Sequence, residues 1–129
     1  MRTTAKARNN EDRQPPLLRE ILLSFWKIHI LHHAGEEPVY GQWMIAELRR
    51  HGYEISPGTL YPILRRMEQQ GWLAPAPKKK GDPARRKQYR LTPQGKAALR
   101  TICRQLEELY REVSPAPRPA APAARKRFY

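Results

Sequence analysis

The segment from Ser56 to Gln69 carries side chains that are suited to contacts with nucleic acid. On a helical wheel at about 100° per residue its apolar residues share one side. Gly58, Pro62, Arg65 and Gln69 share the other side. Arginine and glutamine pair best with the guanine and adenine edges, respectively, in the major groove of DNA. The segment therefore predicts a helix whose outward face contacts DNA bases.

The start of this helix suits an anionic partner. Pro57 fits the first helical position because its missing N–H would be unpaired there, and Ser56 can cap the next free amides. Pro62 removes a helical hydrogen bond to the carbonyl of Gly58, and Gly58 lets the backbone approach another molecule closely. A helix N-terminus also attracts phosphate. The alternative interpretation is a plain surface helix with solvated arginines.

The distribution of charge favours the DNA-binding interpretation. The chain has a net charge of +13, from 25 Lys and Arg against 12 Asp and Glu. The region Ala74–Arg90 holds seven Lys or Arg against Asp82 and contributes +6, whereas Pro15–Ile55 sums to -1. The positive charge is therefore concentrated next to the predicted helix, which is typical of a nucleic-acid-binding surface.

Length and composition exclude several other classes. The 129 residues suffice for one domain with tails, because a domain typically takes about 100 to 150 residues. The single Cys103 cannot form an intramolecular disulfide, which is typical of a cytoplasmic protein. The most apolar run, Ile21 to Leu31, is too short to span a membrane. The sequence contains no nucleophile elbow, phosphate loop or HExxH, so an enzyme is not expected.

Four helices and a hairpin are predicted from apolar periodicity and from the positions of Pro and Gly. The first helix is apolar around most of its circumference and is expected to stop at Ala34-Gly35. The predicted helices are Pro16–His33, Gly41–His51, Ser56–Gly71 and Thr92–Val113. The predicted strands are Trp72–Pro77 and Lys87–Leu91, joined by a turn over Lys78–Pro83.

These elements predict a mainly α-helical chain with a small β-hairpin, in which the basic hairpin forms a wing beside a helix-turn-helix. Four regions are expected along the chain. They are a disordered basic arm over residues 1–14, a winged helix DNA-binding domain over 15–91, a C-terminal dimerisation helix over 92–113, and a disordered Pro/Ala-rich basic tail over 114–129.

Three segments together resemble the PadR family of bacterial transcriptional regulators, which are winged helix-turn-helix proteins. They are Ser56-Pro57-Gly58-Thr59-Leu60-Tyr61-Pro62-Ile63-Leu64, Glu68-Gln69-Gln70-Gly71-Trp72-Leu73 and Arg86-Lys87-Gln88-Tyr89-Arg90-Leu91-Thr92-Pro93-Gln94-Gly95. The resemblance implies a homodimer that binds an inverted repeat in double-stranded DNA. It also implies repression of an operon until a small-molecule effector arrives.

Two positions depart from the family pattern. Gln42-Trp43 follows Gly41 where the family commonly has Gly-Tyr-Glu, which affects local packing and not the class. Family members that bind flat drugs between subunits use a tryptophan in the last helix, and this chain has only Tyr110 as an aromatic there. The identity of an effector therefore cannot be carried over.

The DNA contacts are expected from the helix and the wing together. Helix residues would enter or border the major groove, and wing residues would contact the flanking phosphates. The predicted set is Ser56, Gly58, Thr59, Tyr61, Arg65, Arg66, Gln69, Lys78, Lys79, Lys80, Arg85, Arg86 and Lys87.

The last helix has an apolar seam that suits pairing with another helix. Leu99, Leu106 and Val113 are spaced seven apart, with further apolar residues between them. Together with the unusually apolar first helix this predicts a dimer interface, and the alternative is packing within one subunit. The predicted interface residues are Leu18, Leu22, Phe25, Leu99, Ile102, Leu106, Leu109, Tyr110 and Val113.

The histidines and tryptophans of the helices are weaker candidates for a site. His29 and His33 lie four apart, with His32 nearby, but a pair of histidines is a weak metal signal, which favours solvated or capping histidines. No metal and no cofactor is therefore assigned. Trp26 and Trp43 are candidates for an effector pocket, and the alternative is that they serve as packing mass.

Two other functions fit the composition. A nonspecific architectural DNA-binding protein would need only the basic wing and tails. A winged-helix module that binds another protein would leave the wing lysines without a phosphate partner. A comparison of DNA affinity at two salt concentrations separates these functions from a sequence-specific regulator.

Overall fold

The structure is a computed structural model that describes residues 15–77, 81 and 87–115. The predicted basic arm and nearly all of the predicted basic tail lie outside the described residues. So do Lys78, Lys79, Lys80, Arg85 and Arg86 of the predicted wing. The elements that position the remaining residues are all described.

The described residues form four helices and three short strands in chain order. They are α1 (Pro16–Glu36), β1 (Val39–Tyr40), α2 (Gly41–Arg50), α3 (Pro57–Gln69), β2 (Leu73–Pro75), β3 (Gln88–Leu91) and α4 (Pro93–Val113). The strands form one antiparallel sheet in the order β1-β3-β2. A helix-turn-helix followed by a hairpin is the arrangement of a winged helix-turn-helix domain.

Strand β1 was not predicted from the sequence. Val39 pairs with Tyr89 and Tyr40 pairs with Gln88 on β3. A two-residue strand carries no alternation that a sequence pattern can reveal, because its identity depends on the partner strand. The strand joins the segment between α1 and α2 to the far edge of the hairpin.

The predicted stop of the first helix at Ala34-Gly35 is wrong, since α1 continues to Glu36. Gly35 has another role, because a β-carbon there would lie 2.9 Å from Cδ2 of Leu91 on β3. The missing side chain allows close packing of α1 against the hairpin. The helix ends where Glu37 adopts an extended backbone conformation.

The hydrophobic core is built from the first three helices and the hairpin. Leu60, Ile63, Leu64 and Met67 are all buried, which confirms the apolar side predicted for α3. They pack with further buried residues from α1, α2 and the strands. Those residues include Trp26, Ile30, Leu31, Met44, Ile45, Leu48, Ile55, Leu73 and Tyr89.

Thr92 attaches α4 to the end of α3. Its hydroxyl accepts a hydrogen bond from the Gly95 amide at 2.9 Å and so caps α4. The same hydroxyl donates to the Gly71 carbonyl at 2.6 Å, which ties the start of α4 to the turn after α3. Gly95 is buried, and a β-carbon there would lie 2.4 Å from the Trp72 carbonyl oxygen. From this anchor α4 runs along α1.

None of the helices in the described part of the chain has the length and apolar character needed to cross a membrane.

Candidate nucleic-acid interface

The outward face of α3 is a polar surface on an otherwise buried helix. Arg65, Arg66 and Gln69 are exposed, and their side chains form no hydrogen bond or ion pair with the other described residues. The opposite, apolar side of the helix is fully buried and packs against the core, which holds the helix in place. The free guanidinium and amide groups are therefore presented on a fixed support, as contacts with base edges require.

The N-terminus of α3 confirms the predicted cap. The Ser56 hydroxyl accepts a hydrogen bond from the Thr59 amide at 3.3 Å and donates to the Thr59 hydroxyl at 3.3 Å. Ser56 and Thr59 are half-buried, and their hydroxyls bond to each other at the start of the helix. Both stay at the border of the exposed face.

Gly58 is exposed beside this cap and has free space around it. A β-carbon at this position would contact only the Ser56 hydroxyl, at 3.8 Å. The backbone has no positive φ here, so no conformational requirement selects glycine. No neighbour within the described residues requires a glycine at this position. This is the arrangement expected where another molecule approaches the backbone.

Tyr61 connects the exposed face of α3 to the start of α2. Its side chain is 37% exposed. A β-carbon on the buried Gly41 would lie 2.4 Å from Cε1 of the Tyr61 ring. Because Gly41 has no side chain, the Tyr61 ring packs directly against the backbone of α2. This contact holds the phenol at the edge of the polar face.

The base of the wing lies against α3. Nζ of Lys87, just before β3, donates to the Glu68 carboxylate at 2.9 Å and lies 5.3 Å from the centre of the Tyr89 ring. The hydrogen bond to Glu68 raises the pKa of Lys87, so the ammonium stays charged. Burial raises the pKa of the Tyr89 hydroxyl, which stays neutral. The base of the hairpin therefore lies beside the polar face of α3.

Arg65, Arg66, Gln69 and Lys87 form one continuous candidate interface with the N-terminus of α3. The helix supplies directed donors, and the ion pair of Lys87 with Glu68 fixes the base of the hairpin at one edge. This combination matches a helix in a major groove with a wing over the adjacent backbone.

The model of the transcriptional regulator PadR-like family matches residues 30–101, which is more than half of the chain. The chain belongs to the PadR family. Transcriptional regulator Rv3488 of Mycobacterium tuberculosis is 49% identical over 96 residues, covering 74% of this chain and 89% of that protein. The sequence resemblance is thereby confirmed.

Solved PadR structures have the same fold. A PadR family transcriptional regulator from Eggerthella lenta has 34% identity and a TM-score of 0.61, covering 75% of this chain and 81% of its own. A PadR-like transcription factor from Bacteroides fragilis has 26% identity and a TM-score of 0.62, covering 77% and 96%. These likenesses confirm the predicted winged helix fold. PadR regulators are DNA-binding transcription regulators and not enzymes, as the sequence also predicts.

The predicted dimer residues divide into two groups. Leu22, Leu99 and Ile102 pack against the core of their own subunit, as the alternative interpretation expects, and Leu106 is half-buried. The others leave large apolar areas exposed on α1 and at the end of α4. They are Leu18, Phe25, Leu109, Tyr110 and Val113.

The two candidate tryptophans for an effector pocket lie in different environments. Trp26 is 0% exposed and packs edge-to-face against Tyr53, with ring centres 6.0 Å apart. It belongs to the core and presents no surface to a ligand, because the surrounding helices enclose it completely. Trp43 is partly exposed and packs against the His33 ring at 5.4 Å. The structure therefore favours the packing interpretation for Trp26, and the assignment of Trp43 stays a prediction.

Sequence reasoning missed two contacts of this interface. The pair Glu68 and Lys87 joins residues 19 positions apart, and Gly41 supports a tyrosine from the next helix. Neither contact has a local sequence pattern, since both depend on how the hairpin and α2 fold back onto α3. The glycine at the start of α2 is the one signal that could have indicated a close contact there.

Proposed function

We propose that this PadR-family chain is a repressor that binds an inverted repeat in double-stranded DNA as a homodimer. In this proposal α3 lies in the major groove, where Arg65 and Gln69 contact bases. Gly58, Thr59 and Tyr61 border the groove, Arg66 contacts phosphate, and the wing follows the flanking backbone. A small-molecule effector of unknown identity would release the DNA.

The observation that carries the proposal is the division of α3 into a buried apolar side and an exposed polar side. The exposed arginines and glutamine have no partner among the described residues. A surface helix with arginines held in internal ion pairs would instead have supported the plain surface interpretation. The ion pair between Lys87 and Glu68 holds the base of the wing against α3, beside the face where a DNA backbone would pass.

Two exposed apolar areas support the homodimer. One lies on α1, and the other lies at the free end of α4, which packs along α1. A two-fold dimer would place two copies of α3 on one side of the DNA, with half-sites about 10 bp apart.

The proposal is tested by selecting DNA from a random duplex library with the full chain and then measuring affinities. We expect an inverted repeat that binds at least about a thousandfold more tightly than scrambled DNA at physiological salt. Selection of no sequence, with binding that depends only on salt, would support the architectural alternative. No DNA binding at all would favour the protein-interaction module.

Arg65→Ala tests the base contact. The substitution should weaken the binding free energy for the selected duplex by about 1 to 3 kcal/mol. The loss for scrambled DNA should be smaller, because a base contact carries sequence preference. Arg100→Ala on the exposed side of α4 is the matched control, since it removes the same charge away from α3. An equal loss on both duplexes for Arg65→Ala would assign Arg65 to phosphate contact and would overturn its proposed role.

A further inference from the structure

The fold gathers all four histidines of the chain between α1 and the end of α2. His29, His32 and His33 lie on α1, and His51 follows the last residue of α2. One ring nitrogen from each of His29, His33 and His51 lies within 4.8 Å of the other two. The His29 ring centre lies 4.9 Å from that of His51 and 6.2 Å from that of His33. Residues more than fifteen positions apart therefore meet at one point.

A carboxylate from α2 lies beside two members of this group. Oε2 of Glu47 lies 3.1 Å from Nε2 of His51 and 3.5 Å from Nε2 of His33. In a tetrahedral zinc site with Zn–N distances of about 2.0 to 2.1 Å, neighbouring ligand atoms are about 3.3 Å apart. Two edges close to this length therefore already exist, and His29, whose ring nitrogen lies within 4.8 Å of those of His33 and His51, would have to move closer to complete the tetrahedron.

His33 is arranged as a ligand of this kind usually is. Its side chain is only 11% exposed, and its buried Nε2 makes no hydrogen bond with the described residues. Its other nitrogen, Nδ1, lies 3.3 Å from the Glu36 carboxylate. Metal-binding histidines usually have the second nitrogen bound to a carboxylate, which orients the ring and fixes the tautomer.

Glu47 is fixed in place from the solvent side. Arg50 donates from Nε to Oε1 at 3.1 Å and from Nη2 to Oε2 at 2.9 Å, while only 10% of the Glu47 side chain is exposed. A carboxylate oxygen has two lone pairs, so Oε2 can accept from Arg50 and still face the histidines. A metal ion would bind between Glu47 and His51 in place of their direct contact.

We propose that His29, His33, His51 and Glu47 form a binding site for a divalent transition metal ion of the Zn2+ class. Imidazole and carboxylate ligands in a tetrahedral arrangement suit this class, whereas Mg2+ and Ca2+ prefer oxygen ligands alone. The ion would clamp α1 to the end of α2. Because α3 begins at Pro57, shortly after His51, the clamp would also brace the connection to the polar face of α3.

A second group offers a competing site on the exposed side of α1. His32, His33 and Glu36 also bring their ligand atoms within 4.8 Å. His32 and Glu36 are both more than half exposed and belong to the same helix. That group joins no two elements and lacks Glu47, so we assign His33 to the site with His51 and assign Glu36 to its orientation.

The test uses the full chain after removal of metal with a chelator. Zn2+ is titrated in competition with a chromogenic chelator, with Mg2+ as the control ion, and the melting temperature is measured with and without Zn2+. We expect one Zn2+ per chain, a higher melting temperature with Zn2+ and no effect of Mg2+. Absence of Zn2+ binding in the wild-type chain would overturn the proposal.

Variants then identify the ligands. His51→Gln changes a residue at the surface end of the site and should lower Zn2+ affinity about a hundredfold or more, since even changes outside the ligand shell cost about 10- to 100-fold. It should also abolish the rise in melting temperature caused by Zn2+, while the circular dichroism of the metal-free variant shows that the helices remain folded. His29→Gln should have the same effect on affinity.

His32→Gln is the matched control, because His32 lies on the same helix outside the proposed ligands. It should bind Zn2+ as the wild type does. Loss of binding in His32→Gln together with normal binding in His51→Gln would place the metal on the exposed side of α1 and overturn the proposal. Co2+ provides an independent readout, because a tetrahedral site gives intense visible bands, which His51→Gln should lose.

Discussion

Gly41 and Gly58 both lie in the first turn of a helix, but their surroundings differ. Gly41 is buried under the Tyr61 ring, and a β-carbon there would approach it to 2.4 Å. Gly58 is exposed, and a β-carbon there would meet only the Ser56 hydroxyl at 3.8 Å. The first glycine therefore serves the packing of the chain itself, and the second is available to serve a partner.

Alanine at the two positions should separate stability from DNA affinity. Gly58→Ala should leave the free energy of unfolding unchanged or raise it by up to about 1 kcal/mol, because alanine favours a helix. Its affinity for the selected duplex should fall, since the added methyl group lies where the DNA backbone approaches. Urea unfolding and fluorescence anisotropy with labelled duplex measure the two quantities.

Gly41→Ala is the matched change and should have the opposite profile. It should lower the free energy of unfolding by about 1 to 3 kcal/mol, because overpacking forces the Tyr61 ring away from its seat. If Gly58→Ala binds the selected duplex as tightly as the wild type, the backbone of α3 does not approach DNA at this point. If Gly41→Ala unfolded with the same free energy as the wild type, the Tyr61 ring would not be packed tightly against Gly41.

At the scale of elements, Thr92 has an unusual number of contacts for one hydroxyl. It caps α4 through the Gly95 amide and donates to the carbonyl that ends the turn after α3. Thr92→Ala removes both hydrogen bonds and leaves a carbonyl of the tight turn without its partner. We expect the free energy of unfolding to fall by about 1 to 2 kcal/mol, as for the loss of a helix cap.

Thr92→Ser is the control for this prediction because it keeps the hydroxyl and loses one methyl group. Thermal unfolding should give a melting temperature close to that of the wild type for Thr92→Ser and a clearly lower one for Thr92→Ala. If both variants melted equally far below the wild type, the methyl group and not the hydroxyl would hold α4 to the turn, and two wild-type melting temperatures would mean that neither group does.

The same elements explain what the sequence could predict. The start of α3 was predicted correctly because Ser56 and Pro57 act through contacts within one helical turn. The start of α4 was predicted for the same reason, from Thr92 and Pro93. The buried side of α3 followed from its periodicity. These features depend on residues close together in the chain.

Features that depend on distant residues were missed. Strand β1 exists only through its pairing with β3, and the close packing at Gly35 involves Leu91 from the distant β3. The histidine pair on α1 had no further ligand in sequence, and the fold supplies His51 and Glu47 from the next helix. The candidate site was therefore predictable on α3 and not predictable between α1 and α2.

At the scale of the whole molecule, the exposed apolar end of α4 determines the proposed assembly. Leu109 is 56% exposed, and Tyr110 and Val113 are exposed beside it. In a two-fold dimer each side chain counts twice, because both subunits contribute the same surface. Full burial of one leucine stabilises by about 1.5 to 3 kcal/mol, and just over half of Leu109 remains to be buried, so the pair would contribute about 2 to 3 kcal/mol.

Leu109→Glu should therefore convert the dimer into monomers, with a dissociation constant raised by about a hundredfold or more. The helices of each monomer should remain folded, since Leu109 is exposed within its own subunit. Ala97→Glu is the control, because it adds the same charge at an exposed position of α4 outside the apolar seam. Sedimentation velocity over a range of concentrations measures the assembly state, and circular dichroism measures the fold.

The consequence for DNA follows from the spacing of half-sites. A monomer can occupy only one half-site, so Leu109→Glu should bind the full inverted repeat no more tightly than an isolated half-site. The wild type and Ala97→Glu should both prefer the full repeat strongly. If Leu109→Glu stays dimeric and keeps that preference, the end of α4 is not the dimer interface, and the apolar surface of α1 would have to form it alone.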